Sequence, residues 1–384
     1  MSKPMRVAVV GGGPAGLYFS YLLRRSRPDA EIRLIEQNPA DATFGFGVVF
    51  SERALDFLQD DDGETHAAVA PLLETWRDLT VVHRGQIIPI DGVGFAAIGR
   101  LRLLQLLQNR LRAVGVEPVF KRALTSISEF DDYDLIVGAD GVNSIVRAGR
   151  EQAFGTKITA GANKFAWYGT AKRFDTLTQT FLETGWGGMT AHHYRYAPDM
   201  STFIIEMQAD TWERAGFARL TDRESKDLCE RMFASVLEGR PLIANNSVWR
   251  CFPRIWNDHW FAGNKVLVGD ALHTAHFSIG SGTRLALEDV IALANTITAH
   301  PNDMRDALQS YQTQRQPIVA KLVEAANASL GWYECMDEHM RLPPYEFAYS
   351  YITRSGRVDD RRLRQIAPRF MDAYHAERNC SSRA

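Results

Sequence analysis

The residues of this chain best suited to bind a ligand are glycines and carboxylates that directly follow apolar runs. Gly11, Gly13 and Gly16 follow the run 6–10, and Glu36 stands 20 residues after Gly16 at the end of a second run. Gly11 permits a tight turn, Gly13 lets the backbone approach a pyrophosphate, and Gly16 lets a helix pack closely. A carboxylate at the position of Glu36 suits ribose hydroxyls. The combination predicts a site for the ADP half of a dinucleotide, and leaves open which dinucleotide.

Two further carboxylates stand in the same relation to apolar runs. Asp140 follows the run 134–138, and Asp270 follows the run 265–269. Ligands of α/β folds bind beyond the carboxyl ends of the strands, so three such ends predict one long ligand contacted along its length. Taken singly, each aspartate could equally be the N-cap of a helix.

The elements that must hold these residues follow from the hydrophobic pattern. Pro14 and Ala15, with Gly16, begin a predicted helix whose free N–H groups and positive dipole end suit phosphates. Helices are predicted again from Thr283 to about Leu330. Buried strands are predicted at four places, namely 6–10, 31–36, 133–138 and 265–270.

The middle of the chain has a different pattern. Between 158 and 212, β-rich aromatic segments separated by Gly, Asp or Pro predict an antiparallel sheet. Residues 79–90 predict a hairpin that turns at Arg84-Gly85. Residues 98–111 predict an amphipathic helix, and the acidic stretch 60–64 predicts a surface loop.

The predicted fold class is therefore α/β, with a Rossmann-like nucleotide domain interrupted by an antiparallel β-sheet substrate domain and followed by C-terminal helices. The nucleotide domain is assigned to 1–75, 92–157 and 258–300. The β-sheet domain is assigned to 76–91 and 158–257, and the helical region to 301–384.

Composition narrows the function classes. The net charge is −2, from 44 basic and 46 acidic side chains, which gives no general attraction to nucleic acid or anionic membranes. No uninterrupted apolar run is long enough for a transmembrane helix. The four cysteines form no CxxC pair and no metal-ligand spacing, which predicts no metal site and a cytoplasmic protein with reduced thiols. The oligomeric state is left open.

The ordered motifs Gly11-x-Gly-x-x-Gly16, Asp140-Gly141 and Gly269-Asp270 resemble those of the single-component FAD-dependent aromatic hydroxylases, the relatives of p-hydroxybenzoate hydroxylase. The resemblance extends over nearly the whole chain. It implies that the nucleotide domain binds FAD, and that NAD(P)H reduces the flavin as a co-substrate without a Rossmann domain of its own.

The resemblance also implies a role for each motif. The first motif and Glu36 would hold the ADP half of FAD. Asp140 would serve both FAD and the arriving nicotinamide nucleotide, and Asp270 the ribityl side. Arg100 matches a basic position near the FAD phosphates, with a solvated helix arginine as the alternative. The loop beside the isoalloxazine would contain Gly280, Ser281 and Gly282.

This loop departs from the common family pattern. Many members have proline, glutamine and asparagine where this chain has Phe277, Ser281 and Arg284. The variant resembles a subgroup containing salicylyl-CoA 5-hydroxylases, the monooxygenase half of 2-aminobenzoyl-CoA monooxygenase/reductase, and the violacein-pathway tryptophan hydroxylase. Segments 274–282 and 210–217 are most similar to the salicylyl-CoA enzymes. This implies O₂-dependent hydroxylation of salicylyl-CoA to gentisyl-CoA through a C4a-hydroperoxyflavin.

His276 and His192 are the first candidates for catalysis, because a neutral histidine can accept or relay a phenol proton. A structural hydrogen bond is the alternative for each. His192 and His193 are neighbours in a predicted strand, so one should face the flavin and the other should not.

A CoA substrate needs cations for its phosphates. Six C-terminal arginines form either such a dock or a solvated helix balanced by Asp359 and Asp360: Arg354, Arg357, Arg361, Arg362, Arg364 and Arg369.

Three other functions stay open at this stage. One is a hydroxylase of a free aromatic metabolite such as a tryptophan or indole derivative. Another is a flavin oxidoreductase that transfers no oxygen. The least favoured is a passive nucleotide-binding module, because three motifs would then serve one inert ligand.

Overall fold

The computed structural model describes residues 4–51 and 56–381, and describes the backbone alone at 56, 380 and 381. The strands are β1 (Arg6–Val10), β2 (Glu31–Ile35), β3 (Gly47–Ser51), β4 (Glu74–Trp76), β5 (Leu79–His83), β6 (Gln86–Ile90), β7 (Phe95–Gly99), β8 (Leu135–Gly138), β9 (Thr156–Ala160), β10 (Lys164–Thr170), β11 (Leu177–Thr184), β12 (Gly187–Ala197), β13 (Met200–Met207), β14 (Leu242–Ala244), β15 (Pro253–Asn257), β16 (Phe261–Ala262) and β17 (Lys265–Leu267).

The helices are α1 (Pro14–Ser26), α2 (Asp56–Asp61), α3 (Gly63–Val69), α4 (Arg100–Ala113), α5 (Glu151–Phe154), α6 (Ala209–Arg214), α7 (Asp222–Met232), α8 (Ala234–Leu237), α9 (Gly282–Ala299), α10 (Met304–Glu334), α11 (Met336–His339), α12 (Pro344–Thr353), α13 (Asp360–Ile366) and α14 (Pro368–Ser381). None of the helices in the described part of the chain is long and apolar enough to cross a membrane.

A five-stranded sheet has the order β16-β17-β8-β1-β2 and confirms the predicted α/β class. β1 pairs in parallel with β2 and β8, and β8 in parallel with β17. The carboxyl ends of these four strands therefore meet at one edge. Gly11, Glu36, Asp140 and Asp270 all follow strands that end there, as the sequence predicted. Buried side chains of α1, α4, α9 and α10 join the sheet in one apolar core.

A seven-stranded sheet has the order β14-β10-β13-β12-β11-β5-β6. β10 to β13 pair antiparallel, which confirms the sheet predicted for 158–212. The predicted hairpin joins this sheet as β5 and β6, and both turn residues, Arg84 and Gly85, have positive φ. One sheet face packs on α7 and α8, whereas the other faces residues of α10 and α12.

Two local predictions were wrong. The amphipathic helix starts at Arg100 and not at Ile98, because Ile98 belongs to β7 and pairs with Val48. Its apolar side chain matched the helical spacing by chance. The acidic stretch 60–64 is not wholly a surface loop, since Asp62 is 2% exposed and pairs with Arg25 at 2.7 Å.

Candidate active site

The turn after β1 leaves open space in front of a helix N-terminus. A Cβ atom at Gly11, where φ is +108°, would lie 2.2 Å from the Ala139 carbonyl oxygen, and one at Gly16 would lie 2.0 Å from the Gly11 carbonyl oxygen. A Cβ at Gly13 would meet nothing within 4 Å. Chain packing therefore explains glycine at 11 and 16 but not at 13. Gly13 is the N-cap of α1, whose first turn has no acidic residue and no side-chain cap, so its N–H groups remain available to an anion.

Glu36 is held by the same turn. Its Oε2 accepts the Gly12 N–H at 2.7 Å, while its Oε1 accepts the backbone N–H and the side-chain amide of Asn38 at 2.8 and 2.7 Å. These bonds fix the carboxylate at the end of β2 and leave acceptor capacity on both oxygens. Its contact with a ribose stays a prediction.

Asp140 has one satisfied and one unsatisfied oxygen. Its Oδ2 accepts the N–H groups of Ile145 and Val146 at 2.7 and 3.3 Å, whereas its buried Oδ1 has no hydrogen-bond partner. Burial raises the pKa of this carboxyl, against those hydrogen bonds. A buried acceptor without a donor is expected where a bound ligand completes the site.

Asp270 and Arg100 act on each other across the site. The side chain of Asp270 is exposed to solvent. Desolvation by the protein atoms packed around it raises its pKa, and the charges of Arg100 and His273 oppose this effect. Arg100 begins α4, which is anchored by a bond from its backbone N–H to the Phe46 carbonyl at 2.8 Å. Burial lowers the pKa of its guanidinium, and the charge of Asp270 opposes this.

These features together fit FAD. The open space at Gly13 suits a pyrophosphate, the unsatisfied Oδ1 of Asp140 can accept a hydroxyl or amide donor, and Asp270 suits polyol hydroxyls. Gly282 begins α9, whose first turn also has no acidic residue and no side-chain cap. A Cβ at Gly282 would have its nearest neighbour at 3.9 Å, which leaves room beside this loop.

One face of the seven-stranded sheet meets the loop that precedes α9. The ring of Phe277 lies 5.0 Å from Phe165, 6.4 Å from Trp167 and 5.2 Å from His192, between ring centroids. Phe277 stands where many family members have proline. The loop and the sheet thus form an aromatic boundary suited to exclude water from a ring bound there.

A buried carboxylate lies on this face. Glu206, 1% exposed, pairs across the sheet with Phe165 and Thr190. Its Oε2 accepts His192 Nε2–H at 3.1 Å and its Oε1 accepts Asn163 Nδ2–H at 2.9 Å. Burial alone would raise the pKa of Glu206, but the hydrogen bond from His192, the electrostatic effect of the His276 and His192 imidazoles and the bond from Asn163 outweigh it, and the pKa is lowered.

The second candidate histidine lies beside the same carboxylate. His276 Nε2 is 3.9 Å from Glu206 Oε1, too far for a hydrogen bond. Burial lowers the pKa of His276 to about 4 and also lowers that of His192. Both rings are therefore neutral near pH 7. The structure thus brings the two predicted catalytic histidines together around Glu206, which the sequence interpretation missed.

His192 and His193 face opposite sides of the sheet, as predicted from strand alternation. His193 Nε2 bonds Thr180 Oγ1 at 2.9 Å, and its ring stacks on Phe203. Burial lowers its pKa to about 3. His193 therefore belongs to the core behind the sheet, and His192 to the face that meets the loop.

A chain of hydrogen bonds fastens the loop to the C-terminal helices. His276 Nδ1 pairs with Ser278 Oγ at 2.8 Å, and Ser278 Oγ with Ser329 Oγ at 2.7 Å. Arg354 donates from Nε to Ser329 Oγ at 2.9 Å and from Nη2 to the Ser278 carbonyl at 2.7 Å. Arg354 therefore holds the loop and is not a surface arginine.

The other C-terminal arginines divide into paired and exposed groups. Arg364 pairs with Asp360 at 2.8 Å, and Arg369 lies 3.4 Å from Asp91. These contacts favour the solvated-surface interpretation for both. All five are exposed, and those without an ion pair among the described residues, and so available to a phosphate, are Arg357, Arg361 and Arg362.

Comparison with protein families gives two matches. Residues 115–326 match a family described as an FAD binding domain, and residues 9–66 match an NAD(P)-binding Rossmann-like domain. The second match covers the glycine turn, α1 and Glu36.

Three characterised relatives extend over most of the chain. A salicyloyl-CoA 5-hydroxylase from a Streptomyces species is 40% identical, over 91% of this chain and 70% of its own length. A 3-hydroxy-4-methyl-anthranilyl-[aryl-carrier protein] 5-monooxygenase from Streptosporangium sibiricum is 34% identical, over 94% and 97%. Protodeoxyviolaceinate monooxygenase from Chromobacterium violaceum is 31% identical, over 91% and 94%.

Solved structures show the same fold at lower identity. PqsL of Pseudomonas aeruginosa aligns with a TM-score of 0.68 at 19% identity, covering 91% of this chain and 100% of that one. A 2-methyl-3-hydroxypyridine-5-carboxylic acid oxygenase aligns with a TM-score of 0.68 at 17% identity, covering 95% and 96%.

Proposed function

The chain belongs to the FAD-dependent aromatic monooxygenases, and we propose that it hydroxylates salicylyl-CoA to gentisyl-CoA with NAD(P)H and O₂. The observation that carries this proposal is the 40% identity to a salicyloyl-CoA 5-hydroxylase over 91% of the chain. The ring hydroxyl activates its para position, which is position 5 of a salicyl thioester.

FAD supplies the activation of O₂. The N–H groups at Gly13 and the start of α1 would hold that cofactor, together with Asp140 and Asp270. Arg100 adds a positive charge on the same side. Phe165, Trp167 and Phe277 exclude water from the ring, and this boundary also limits how the ring can be oriented.

We assign the acceptance of the substrate proton to His192, assisted by Glu206. Because His192 donates its Nε2–H to Glu206, its neutral ring leaves Nδ1 as the acceptor. The ring hydroxyl of the substrate loses its proton as oxygen is transferred, and Nδ1 is the atom we assign to take it. Glu206 then stabilises the imidazolium, with His276 on its other side.

The three exposed arginines Arg357, Arg361 and Arg362 are the proposed contacts for the CoA phosphates. We also propose a cytoplasmic location. Its support is that Cys229, Cys251 and Cys335 are free thiols, while the side chain of Cys380 lies outside the described residues.

A hydroxylase of a free aromatic metabolite is the second candidate, favoured by the 31% identity to protodeoxyviolaceinate monooxygenase. A flavin oxidoreductase that transfers no oxygen does not agree with the family. The test is product identification by mass spectrometry after NADH- or NADPH-driven turnover of salicylyl-CoA, free salicylate and tryptophan. We expect one oxygen atom added to the acyl-CoA. Product from tryptophan alone would replace the proposal by the second candidate.

A further inference from the structure

Residues 269–274, here called the Asp270 turn, follow β17 and begin with Gly269, whose φ is +60°. The N–H groups of Leu272 and His273 both bond to the Gly269 carbonyl, at 2.9 and 3.0 Å, so Asp270 and His273 belong to one closed turn. The side chain of Asp270 is exposed, whereas His273 is 3% exposed. The turn therefore presents one polar side chain to the cofactor site and buries another inside the protein.

The buried side chain joins the Asp270 turn to α9. His273 Nε2 donates to Asp289 Oδ2 at 2.7 Å. Asp289 is fully buried, and its other oxygen accepts Arg315 Nε–H from α10 at 2.8 Å. Because this carboxylate accepts a charge-assisted bond from a guanidinium, its orientation is fixed and the imidazole nitrogen is the donor. The other side chains that bond to carbonyls of the turn come from outside α9, namely Arg147 and Asn257.

α9 also carries the loop predicted to lie beside the isoalloxazine. Gly282 begins α9 and stands seven residues before Asp289. Seven residues are two helical turns, or about 10 Å along the axis. Among the hydrogen bonds of the described residues, the His273–Asp289 bond is the one that ties the Asp270 turn to this helix. It therefore sets where Asp270 lies relative to the start of α9.

The strand order separates this part of the site from the nucleotide end. β17, which precedes Asp270, stands two strands from β1 in the order β17-β8-β1-β2, or about 10 Å at the usual spacing of strands. Gly13 and Glu36 follow β1 and β2 at the other end. ADP is therefore expected to contact Gly13 and Glu36 and not Asp270, whereas FAD is long enough to reach both ends.

We propose that His273 is a positioning residue for FAD: its bond to Asp289 holds Asp270 at the spacing from the start of α9 that the flavin half of FAD requires. The proposal rests on FAD as the cofactor and not on the identity of the aromatic substrate. It assigns His273 no contact with FAD. Loss of the bond should therefore weaken the binding of FAD and leave the binding of ADP unchanged.

The test compares His273→Asn with His273→Gln. The amide nitrogen of glutamine can take the place of Nε2 and keep the bond to Asp289, whereas asparagine is too short to reach it. Neither substitution leaves Asp289 without a partner, since Arg315 remains. The dissociation constants of FAD and of ADP are measured for the apoproteins by isothermal titration calorimetry. Asp62→Asn is the matched control for lost stability, because Asp62 is also buried and is paired with Arg25 of α1.

We expect His273→Asn to weaken FAD binding about tenfold, the size of effect expected from one lost hydrogen bond to a charged group. Its ADP affinity should equal that of the wild type. His273→Gln should bind both ligands as the wild type does, although it has no ionisable ring. Asp62→Asn should lower the Tm and leave both dissociation constants unchanged.

Equal losses of FAD and ADP affinity in His273→Asn would overturn the proposal, because His273 would then support the fold as a whole. Wild-type FAD affinity in that variant would overturn it as well, and so would a His273→Gln protein that behaves like His273→Asn. His273→Leu, whose apolar side chain suits a buried position, repeats the test if the asparagine variant does not fold. Failure of both variants to fold would also overturn a role specific to the cofactor.

Discussion

Substitution of Gly13 and of Gly16 by alanine should separate cofactor binding from folding. A Cβ at Gly16 would lie 2.0 Å from the Gly11 carbonyl oxygen, a backbone atom that no rotamer change can move away. The start of α1 must then shift against β1. We expect a loss of about 3 kcal/mol in the free energy of unfolding of the apoprotein, and a Tm lowered by roughly 4 °C for a chain of 384 residues.

Gly13 presents the opposite case. Its φ of −71° and ψ of 178° are open to any residue, and an added Cβ meets no protein atom within 4 Å. Gly13→Ala should cost the apoprotein about 1 kcal/mol or less, from the weaker N-cap. FAD affinity should fall about 30-fold or more, because a methyl group in front of α1 removes charge-assisted hydrogen bonds to a phosphate.

The assays are thermal unfolding of the apoprotein by circular dichroism and titration of the apoprotein with FAD by flavin fluorescence. Gly13→Ser is the control, because serine restores a good N-cap while still filling the space. It should regain stability and not affinity. A Gly13→Ala apoprotein that is destabilised as much as Gly16→Ala, or that binds FAD as tightly as the wild type, would contradict the role assigned to Gly13.

Three further outcomes are expected. Arg354→Ala should release the loop that contains Phe277 and lower the ratio of hydroxylated product to NAD(P)H oxidised. Arg354→Lys should not restore this ratio, because an ammonium group lacks the planar guanidinium that donates to three acceptors. An unchanged ratio in Arg354→Ala would contradict the role of Arg354 in holding the loop. Asp62→Asn should cost about 1.5 kcal/mol in urea unfolding, since it removes the buried charge that accepts the hydrogen bond of Arg25, while Arg110 keeps Glu64 at 2.8 Å. An unchanged free energy of unfolding would contradict this. The free energy of unfolding should fall as the pH drops from about 6.5 towards 4, by about 1.4 kcal/mol per pH unit for each of the buried residues His276 and His193. The reason is that these histidines bind a proton in the unfolded chain in this pH range but not in the folded protein, where burial lowers the pKa of each. His193→Asn should reduce the slope of the free energy of unfolding against pH.

The nucleotide site was predictable because its signals are local. Gly11, Gly13 and Gly16 stand in one turn, and the run before each carboxylate identifies a strand end without knowledge of the partner strands. Parallel order then follows from the rules of α/β folds. The error at Ile98 has the converse cause, since one apolar residue fits both the first turn of a helix pattern and the end of a buried strand.

The substrate face depended on contacts that sequence spacing does not reveal. Glu206 is a single carboxylate in a strand of apolar and hydroxyl residues, and its partner His276 stands 70 positions later. A charged residue at an inward position of β13 was the available signal. Arg354 reaches Ser278 across 76 positions, so its place beside the loop emerges from the packing of α12 against the sheet.

The interleaving of the two large sheets has a consequence for synthesis on the ribosome. β1 lies between β2 and β8, and the sheet also needs β17, which begins at Lys265. β5 and β6 emerge early and pair with each other, but β5 also pairs with β11, in which Leu177 lies opposite Leu79. Neither sheet can be completed from the first third of the chain. The edge of β1 that pairs with β8 and the edge of β5 that pairs with β11 therefore lack their partner strands during much of translation, and unpaired strand edges are prone to aggregate.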